Sequence, residues 1–286
     1  MSKKRSSLLL IAFLFVTCVH ASPSYWEGES IRAYVHNSEL QRRWAMAFLA
    51  PHLKDLAGGE DILDIGCGDG KITADISTFT PYGNVIGIDP SPDMIGWALL
   101  QYDQREYQNL QFHIGDFIKP NVEGRFDIVM SLCAMHHCPD HRQAFETLHR
   151  LLKPEGKLLI LVPSAKDSDW DDAVAAACQN PKWAFYWKDY VPRVFLDSSQ
   201  YRELLINTGF KVVRIEDVPT VDPFIGKQEL IDWLKGTYPP LVPKKLADQF
   251  FLEIIDDYIR RKPESVTDNN RICVSFDSIR IVAVVK

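Results

Sequence analysis

Residues 60 to 163 alternate between short β-rich runs and helical patterns, and this alternation restricts the fold more than any other feature of the sequence. The β-rich runs are nearly continuous in Ile, Leu and Val, which is typical of strands covered by helices on both faces. Predicted strands lie at 60–65, 83–88, 109–114, 126–131 and 156–162, with predicted helices at 70–79, 91–104 and 139–152. Because strands and helices alternate, the sequence predicts an α/β fold with a doubly wound parallel sheet.

The segments on either side of this region add further elements. Helices are predicted at 37–56, 199–208, 226–235 and 243–260, with strands at 210–218 and 271–285. No repeat or linker marks a second domain. We therefore expect one domain over 22–286, divided into N-terminal helices at 22–58, a core at 59–163 and two insertions at 164–196 and 219–270.

The amino terminus has the layout of a secretory signal peptide. Basic residues at 3–5 precede an apolar run at 8–19, and small residues stand just before a cut after position 21. The run is shorter than the about 20 residues of a membrane span. We expect a cleaved signal peptide at 1–21 and an exported protein with no stable membrane span. An uncleaved anchor, a core helix and an unused leader on a cytoplasmic protein are the alternatives.

Charge and cysteine content limit the partners and the compartment. The formal charge is −6, and removal of the leader with its basic residues leaves −9, which argues against a nucleic-acid partner. The 46% hydrophobic content indicates a folded chain, which we expect to be a monomer. An odd number of cysteines remains outside the leader, and we expect reduced thiols. Reduced thiols suit a cytoplasmic compartment better than export.

A glycine-rich loop follows the first predicted strand, and a helix begins directly after it. The loop reads Asp64-Ile65-Gly66-Cys67-Gly68-Asp69-Gly70-Lys71. Glycines allow a sharp turn and a close approach to a ligand, and the helix N-terminus offers unpaired N–H groups. Asp89 ends the second strand, where an acid can accept hydrogen bonds from both hydroxyls of a ribose.

The same loop disfavours a nicotinamide dinucleotide. Lys71 stands where the G-x-G-x-x-G motif has its third glycine, which packs the helix close to the pyrophosphate. The carboxylates of Asp64 and Asp69 would repel a pyrophosphate, but they suit a ligand with an ammonium group and a cationic centre. The residues favour a positively charged nucleoside, with a nicotinamide oxidoreductase as the disfavoured alternative.

Four motifs in order resemble the class I S-adenosylmethionine-dependent methyltransferases. They are the loop at 64–70, Gly87-Ile88-Asp89-Pro90-Ser91-Pro92-Asp93-Met94, Gly115-Asp116-Phe117 and Phe126-Asp127-Ile128-Val129. The resemblance covers about residues 35 to 165. It implies a Rossmann-like, seven-stranded, mostly parallel sheet with an antiparallel last strand, and S-adenosylmethionine as cofactor. In such a site the loop holds the methionine part, Asp89 the ribose, and Asp116 with Phe117 the adenine. The implied cofactor-binding residues are Asp64, Gly66, Cys67, Gly68, Asp89, Pro90, Met94, Asp116, Phe117 and Ser131.

Further segments are similar to the trans-aconitate and juvenile-hormone-acid methyltransferase branch. They are Tyr34, His36-Asn37-Ser38, Gln41-Arg42-Arg43-Trp44-Ala45 and Trp233-Leu234-Lys235-Gly236-Thr237 before Leu241 and Pro243. The likeness implies O-methylation of a carboxylate on a small molecule, with the substrate under a cap made by the insertions. N- or C-methylation of a small molecule and a catalytically silent cofactor-binding module are the alternatives.

A carboxylate acceptor is already ionised near neutral pH, so the reaction requires no general base. Catalysis then depends on holding the acceptor in line with the donor in a site closed to water. Aromatic faces also attract a cationic methyl donor. Arg193 is the expected counter-charge for the acid. The expected substrate contacts are Tyr25, Trp26, Tyr34, His136, Trp183, Tyr186, Trp187 and Arg193.

Cysteines and histidines cluster after the fourth predicted strand. Cys133 and His136, like Cys138 and His141, have the spacing of metal ligands. A single residue separates the two pairs, which is too little chain to fold both around one tetrahedral ion, so we expect no metal. His136 and His137 are candidates for a catalytic or substrate-contacting role, with a structural role as the alternative.

Overall fold

The computed structural model describes residues 29–164, 169–187, 193–238 and 242–285. The helices are α1 (Glu29–Asn37), α2 (Glu39–Leu53), α3 (Lys71–Ser77), α4 (Pro92–Gln101), α5 (His141–Leu151), α6 (Asp169–Gln179), α7 (Pro181–Ala184), α8 (Ser198–Asn207), α9 (Gly226–Thr237) and α10 (Lys244–Arg261). The strands are β1 (Ile62–Ile65), β2 (Val85–Asp89), β3 (Leu110–Ile114), β4 (Phe126–Leu132), β5 (Leu152–Pro163), β6 (Phe210–Val218), β7 (Val221–Ile225), β8 (Arg271–Ser275) and β9 (Ser278–Val285). Short 3-10 turns span Met135–His137, Phe185–Trp187 and Pro263–Ser265.

Seven strands form one sheet in the order β3-β2-β1-β4-β5-β9-β6. The strands from β1 to β5 are parallel, and β9 runs antiparallel to both β5 and β6. This confirms the predicted Rossmann-like, mostly parallel sheet with an antiparallel last strand. The order reverses between β1 and β4, and the crevice beyond the carboxyl ends of strands at such a point is where α/β sheets bind ligands.

Helices cover both faces of the sheet, as the continuous apolar strands predict. In β4, Val129 packs into one core, whereas its neighbours Ile128 and Met130 pack into the other, because successive side chains point to opposite faces. Phe145 of α5 lies in the first core and Phe48 of α2 in the second. Both faces are therefore buried, and only the strand ends and the loops that follow them remain for a site.

A third apolar cluster lies apart from the two cores of the sheet. It joins α6, α7, α9 and α10 with the two-stranded sheet of β7 and β8. We call these six elements the insertion layer. The side chains of Leu40 and Trp44 on α2 pack against it, and α1 packs against α9. The N-terminal helices thus connect the sheet to the insertion layer.

The prediction of one final strand over 271–285 is wrong. The chain forms two strands in different sheets, because the backbone turns away at Phe276 and Asp277. The N–H of Phe276 donates to the carbonyl of Thr220 at 2.8 Å, and the carbonyl of Asp277 accepts from the N–H of Ser164 at 2.9 Å. These bonds go to loops instead of either sheet. The first half of the predicted strand pairs with β7, a strand that the sequence analysis missed.

Two predictions concern the compartment. Within the described ranges, no helix is long and apolar enough to cross a bilayer. The five cysteines in this part of the chain are free thiols. The predicted signal peptide at 1–21 lies outside the described residues, so its cleavage and the export of the protein stay predictions.

Candidate active site

A cavity of about 1030 Å³ opens beyond the carboxyl ends of β1, β2 and β4. The glycine loop contributes Gly66 and Gly68 to its wall, and Asp89 and Met94 follow from β2 and α4. A smaller pocket of about 10 Å³ is lined by Asp64 and other loop residues. The cavity lies at the reversal of strand order, where this class of sheet binds its ligands.

Gly66 brings the glycine loop close to the chain that follows β4. Its φ of 80° lies in the left-handed region that glycine adopts at little cost. A Cβ atom at this position would stand 2.3 Å from the Cβ of Ala134. Any side chain here would strain the backbone and collide with the opposite wall, so the narrow approach depends on glycine.

Asp64 is buried at the end of β1, and the structure shows a hydrogen bond to only one of its two oxygens within the described residues. Its Oδ2 accepts a hydrogen bond of 2.7 Å from the hydroxyl of Thr73, whereas Oδ1 has no partner among the described residues. Burial raises the pKa of Asp64 to about 7, although the bond from Thr73 opposes the shift. A buried carboxylate with a spare acceptor atom suits an ammonium group.

Asp89 is fixed by backbone N–H groups on both of its oxygens. Oδ2 accepts from the N–H of Gly68 at 3.1 Å, and Oδ1 accepts from the N–H of Ser91 at 2.9 Å. Burial raises the pKa of Asp89 to about 6, although these two bonds favour the ionised form. The carboxylate is therefore held still in the cavity wall, with further lone pairs available for the hydroxyls of a ribose.

Helices α1 and α2 close this end of the cavity. Tyr34 and Gln41 line both the cavity and the smaller pocket, and the hydroxyl of Tyr34 lies 3.3 Å from the place of a Cβ on Gly68. The Oε1 atom of Gln41 is buried with no partner in the described chain. Gln41 was not among the residues predicted to contact a ligand. Its orphaned oxygen makes it a candidate ligand contact.

The remaining residues predicted to bind the cofactor occupy several environments. Met94 lines the cavity, and Cys67 lines the smaller pocket. Burial and three neighbouring carboxylates raise the pKa of the Cys67 thiol, which is therefore uncharged. Pro90 is exposed at the start of the turn before α4.

Asp116, Phe117 and Ser131 line neither the cavity nor the smaller pocket. The Oδ1 atom of Asp116 accepts bonds of 2.7 Å from the N–H groups of Ile118 and Lys119, so this carboxylate closes its own turn. Phe117 is buried in a core of the sheet, and Ser131 is buried in β4. Their predicted contacts with the cofactor stay predictions.

The turn after β4 places His136 and His137 on the cavity wall. The two ring centroids lie 4.2 Å apart, and Phe195 stacks on His136 at 5.5 Å. Burial lowers the pKa of His136 well below its usual value. The pKa of His137 falls to about 3: its ring is exposed, but it opens into the cavity, where removal from bulk water and the charge of Arg193 oppose protonation. Both imidazoles are therefore neutral at pH 7.

Arg193 brings a positive charge to the same part of the cavity. Its Nη2 donates to the carbonyl of Thr237 at 3.0 Å, and its guanidinium carbon lies 5.0 Å from the ring centroid of Tyr238. Its Nε is buried without a partner in the described part of the chain. An anchored guanidinium with a spare donor favours an anionic oxygen.

The predicted aromatic contacts of the insertion are placed elsewhere. Trp183 is buried in the insertion layer, where its ring centroid lies 5.3 Å from that of Phe250 and its Nε1 donates to Glu253 at 2.6 Å. Tyr186 lies next to Phe185 on the surface and is 37% exposed. The structure does not describe Tyr25, Trp26 or the side chain of Trp187, so their predicted contacts stay predictions.

Cysteine and histidine side chains after β4 make hydrogen bonds to backbone carbonyl groups. The sulfur of Cys138 donates to the carbonyl of Asp140 at 3.5 Å, and Nε2 of His141 lies 3.0 Å from the carbonyl oxygen of Met135. Across residues 29–285, leaving aside the gaps in the description, no three His, Cys, Asp or Glu side chains are close enough to hold a metal ion.

A glycine-rich loop directly after β1 and the buried carboxylate of Asp89 at the end of β2 are typical of α/β proteins that bind a nucleoside. The sequence pattern of the methyltransferase domain family matches residues 56–221, which is more than half of the chain. The chain belongs to this methyltransferase family.

Curated relatives agree with this assignment, and a solved structure shares the fold. Trans-aconitate 2-methyltransferase of Deinococcus radiodurans is 29% identical over 231 residues, which are 78% of this chain and 85% of that protein. Juvenile hormone acid O-methyltransferase of Drosophila melanogaster is 28% identical over 239 residues, 78% of this chain and 80% of that protein. Magnesium protoporphyrin IX methyltransferase of Synechocystis, solved with bound S-adenosylhomocysteine, has a similar fold, with a TM-score of 0.53, 16% identity and coverage of 92% and 91%.

The protein is an S-adenosylmethionine-dependent methyltransferase of the small-molecule type. Its residues fit this cofactor, because Oδ1 of Asp64, which has no partner among the described residues, suits an ammonium group and the cavity wall is open at the glycine loop. When bound, the cofactor supplies a methyl group activated on a sulfonium.

Proposed function

We propose that the protein methylates a carboxylate oxygen of a small molecule and forms a methyl ester. The observation that carries the proposal is Arg193, a cation on the cavity wall beside His136 and His137, whose Nε is buried and unpartnered in the described chain. A carboxylate is attracted by this charge and is already ionised at pH 7. An amine acceptor placed at Arg193 would be repelled as its ammonium and would first have to lose a proton.

The cofactor end of the cavity is proposed to hold the methyl donor through residues that are already fixed. Asp64 would take the ammonium group and Asp89 the ribose hydroxyls, with the backbone of Gly66 and Gly68 against the donor. Tyr34 closes this end from α1. The immobility of these groups favours the proposal, because orientation is the main contribution to an in-line displacement.

The insertion layer is proposed to be the substrate cap. Trp170 of α6 and Trp233 of α9 line the same cavity as Arg193, and Arg193 is hydrogen-bonded to the last turn of α9 through the carbonyl of Thr237. A cap of this kind excludes water from the carboxylate and from the donor, which strengthens the attraction between the acid and Arg193. His136 and His137 then serve as neutral walls of the transfer site.

The curated relatives support an acid as the acceptor. One is named for trans-aconitate and the other for juvenile hormone acid, and the second name specifies O-methylation.

The test uses the full chain, S-adenosylmethionine with a tritiated methyl group, and a panel of small carboxylic acids and amines. Alkali releases volatile labelled methanol from a methyl ester, whereas N-methyl and C-methyl products keep their label. We expect an alkali-labile product, lost in Arg193→Met and partly retained in Arg193→Lys, with unchanged S-adenosylhomocysteine affinity in both. A product whose label withstands alkali would overturn the assignment to a carboxylate.

A further inference from the structure

Five contacting rings form one face of the cavity, which we call the aromatic wall: Trp44, Trp170, Trp233, Tyr258 and Phe276. Phe276 is central, with ring centroid distances of 4.9 Å to Trp233, 5.6 Å to Trp44 and 6.3 Å to Trp170. Tyr258 extends the wall at 5.3 Å from Trp170. A continuous surface of this kind binds the apolar body of a ligand.

Three of the four polar groups on the aromatic wall have partners inside the protein. Trp44 Nε1 donates to Asp222 at 2.9 Å, Trp170 Nε1 to the hydroxyl of Tyr238 at 3.2 Å, and the Tyr258 hydroxyl to the carbonyl of Cys273 at 2.9 Å. Trp233 differs, since its Nε1 is buried without a partner in the described chain and its side chain is only 7% exposed. Buried indole N–H groups normally find an acceptor, and this one belongs to a residue that faces the cavity.

The charge on the lining limits how many carboxylates an acceptor can carry. Among the described lining residues, the acids are Asp89, Asp169, Asp171, Asp172 and Asp277, and the cations are Arg193 and Lys262. The Nζ of Lys262 lies 3.5 Å from the hydroxyl of Ser275. One carboxylate finds the guanidinium of Arg193, whereas a second would meet five aspartates and a single remaining cation, Lys262, in the described lining.

We infer that the acceptor is an acid with one carboxylate and an apolar body, that this body lies on the aromatic wall, and that Trp233 donates to an oxygen atom on the body. The inference rests on the proposed methylation of a carboxylate. It adds the shape and charge of the acceptor and a residue that selects it.

The first experiment compares decanoate with sebacate, which has the same chain with a second carboxylate at the far end. Binding to the complex of the full chain with S-adenosylhomocysteine is measured by calorimetry, and esterification by mass spectrometry. We expect decanoate to bind and to be esterified about a hundredfold better. Equal or better use of sebacate, or no binding of decanoate, would overturn the inference. The proposed function fails separately, if decanoate binds but no carboxylate in any panel is esterified.

The second experiment tests Trp233 with a series of oxodecanoates that carry a ketone at successive carbons. We expect at least one to surpass decanoate in kcat/KM by about tenfold, and Trp233→Phe to abolish this preference. Trp170→Phe is the matched control, because its N–H already has a partner in the protein, and it should retain the preference. If no oxodecanoate surpasses decanoate, or if both variants behave alike, Trp233 has no selecting role.

Discussion

The ammonium of Lys71 donates a hydrogen bond of 2.8 Å to the hydroxyl of Ser38, and so joins the glycine loop to the N-terminal helices. The same ammonium donates to the carbonyl of Val35 at 3.2 Å and lies 3.7 Å from the carboxylate of Asp69. Asp69 in turn accepts from Ser38 at 3.0 Å. Lys71, which stands where a dinucleotide motif has its third glycine, thus holds α1 over the cofactor end of the cavity.

Lys71→Met should loosen that connection without unfolding the protein. The variant loses two hydrogen bonds from a charged group and leaves Asp69 buried without its cation, which we expect to lower the free energy of unfolding by about 1–3 kcal/mol. Tyr34 is then held less firmly over the cofactor end of the cavity, so S-adenosylhomocysteine should bind several-fold more weakly. Urea unfolding and calorimetry measure the two effects. Lys54→Met is the control, because Lys54 is exposed and follows α2 directly. Equal behaviour of the two variants would rule out a role for the connection.

Asp89→Ala should weaken S-adenosylhomocysteine binding by about 1–3 kcal/mol, because the ribose hydroxyls and the N–H groups of Gly68 and Ser91 lose their acceptor. Calorimetry measures the affinity, and circular dichroism checks that the variant is folded. Asp89→Asn keeps one acceptor oxygen and should lie between the variant and the parent. Unchanged affinity in the folded alanine variant would contradict the ribose assignment.

The sheet was predictable because its signals are local. Each of the first five strands is a short apolar run, and the glycine loop and Asp89 stand directly after β1 and at the end of β2. The strand β7 escaped prediction because Pro223 in it has no N–H to donate and the strand lies in a two-stranded sheet away from the core. The split at Phe276 depends on bonds to distant loops, which no local pattern encodes.

The part of the cavity that is proposed to hold the methyl acceptor was predictable only in part. Arg193 was identified from charge alone, and the structure does bring it to the histidines after β4. Gln41 and Trp233 belong to segments that carry the family resemblance, but each is a candidate because it has a buried polar atom with no partner in the described part of the chain. Burial of this kind arises from contacts between elements far apart in the chain, and residue spacing does not reveal it. Trp183 was predicted to contact the substrate because it is aromatic. Its large apolar ring instead packs in the core of the insertion layer.

Binding and stability should respond to pH in opposite directions through Asp64. Its pKa is about 7 in the folded chain against an ordinary 3.8, so the stability that the protonated form contributes is present below pH 3.8 and is lost as the pH rises through 7. The ammonium of S-adenosylhomocysteine prefers the ionised form. Its affinity should therefore rise with pH, by up to about tenfold per pH unit below the pKa.

Calorimetry from about pH 5.5 to about pH 8, in buffers of different ionisation enthalpy, measures this affinity and the proton released on binding. Asp64→Asn should bind more weakly at pH 8 and lose most of the pH dependence, with the remainder due to Asp89, whose pKa is about 6. A parent protein whose affinity is constant over this range would show that Asp64 does not meet the ammonium.

Two glycines in helices should respond oppositely to alanine. Gly236 lies where α9 meets α1, and a Cβ there would stand 2.7 Å from the carbonyl oxygen of Ala33 and 2.9 Å from the Cβ of Asn37. Gly236→Ala should push α1 away, which we expect to lower the free energy of unfolding by about 1–3 kcal/mol. In α4, a Cβ on Gly96 would meet no described atom within 4 Å, so Gly96→Ala should stabilise by about 0.5–1 kcal/mol through helix propensity. Urea unfolding compares the two variants. Because α1 carries Tyr34 over the cofactor end, the affinity for S-adenosylhomocysteine should fall in Gly236→Ala but not in Gly96→Ala. If Gly236→Ala proved more stable than the parent protein, the close packing of α1 on α9 would be refuted.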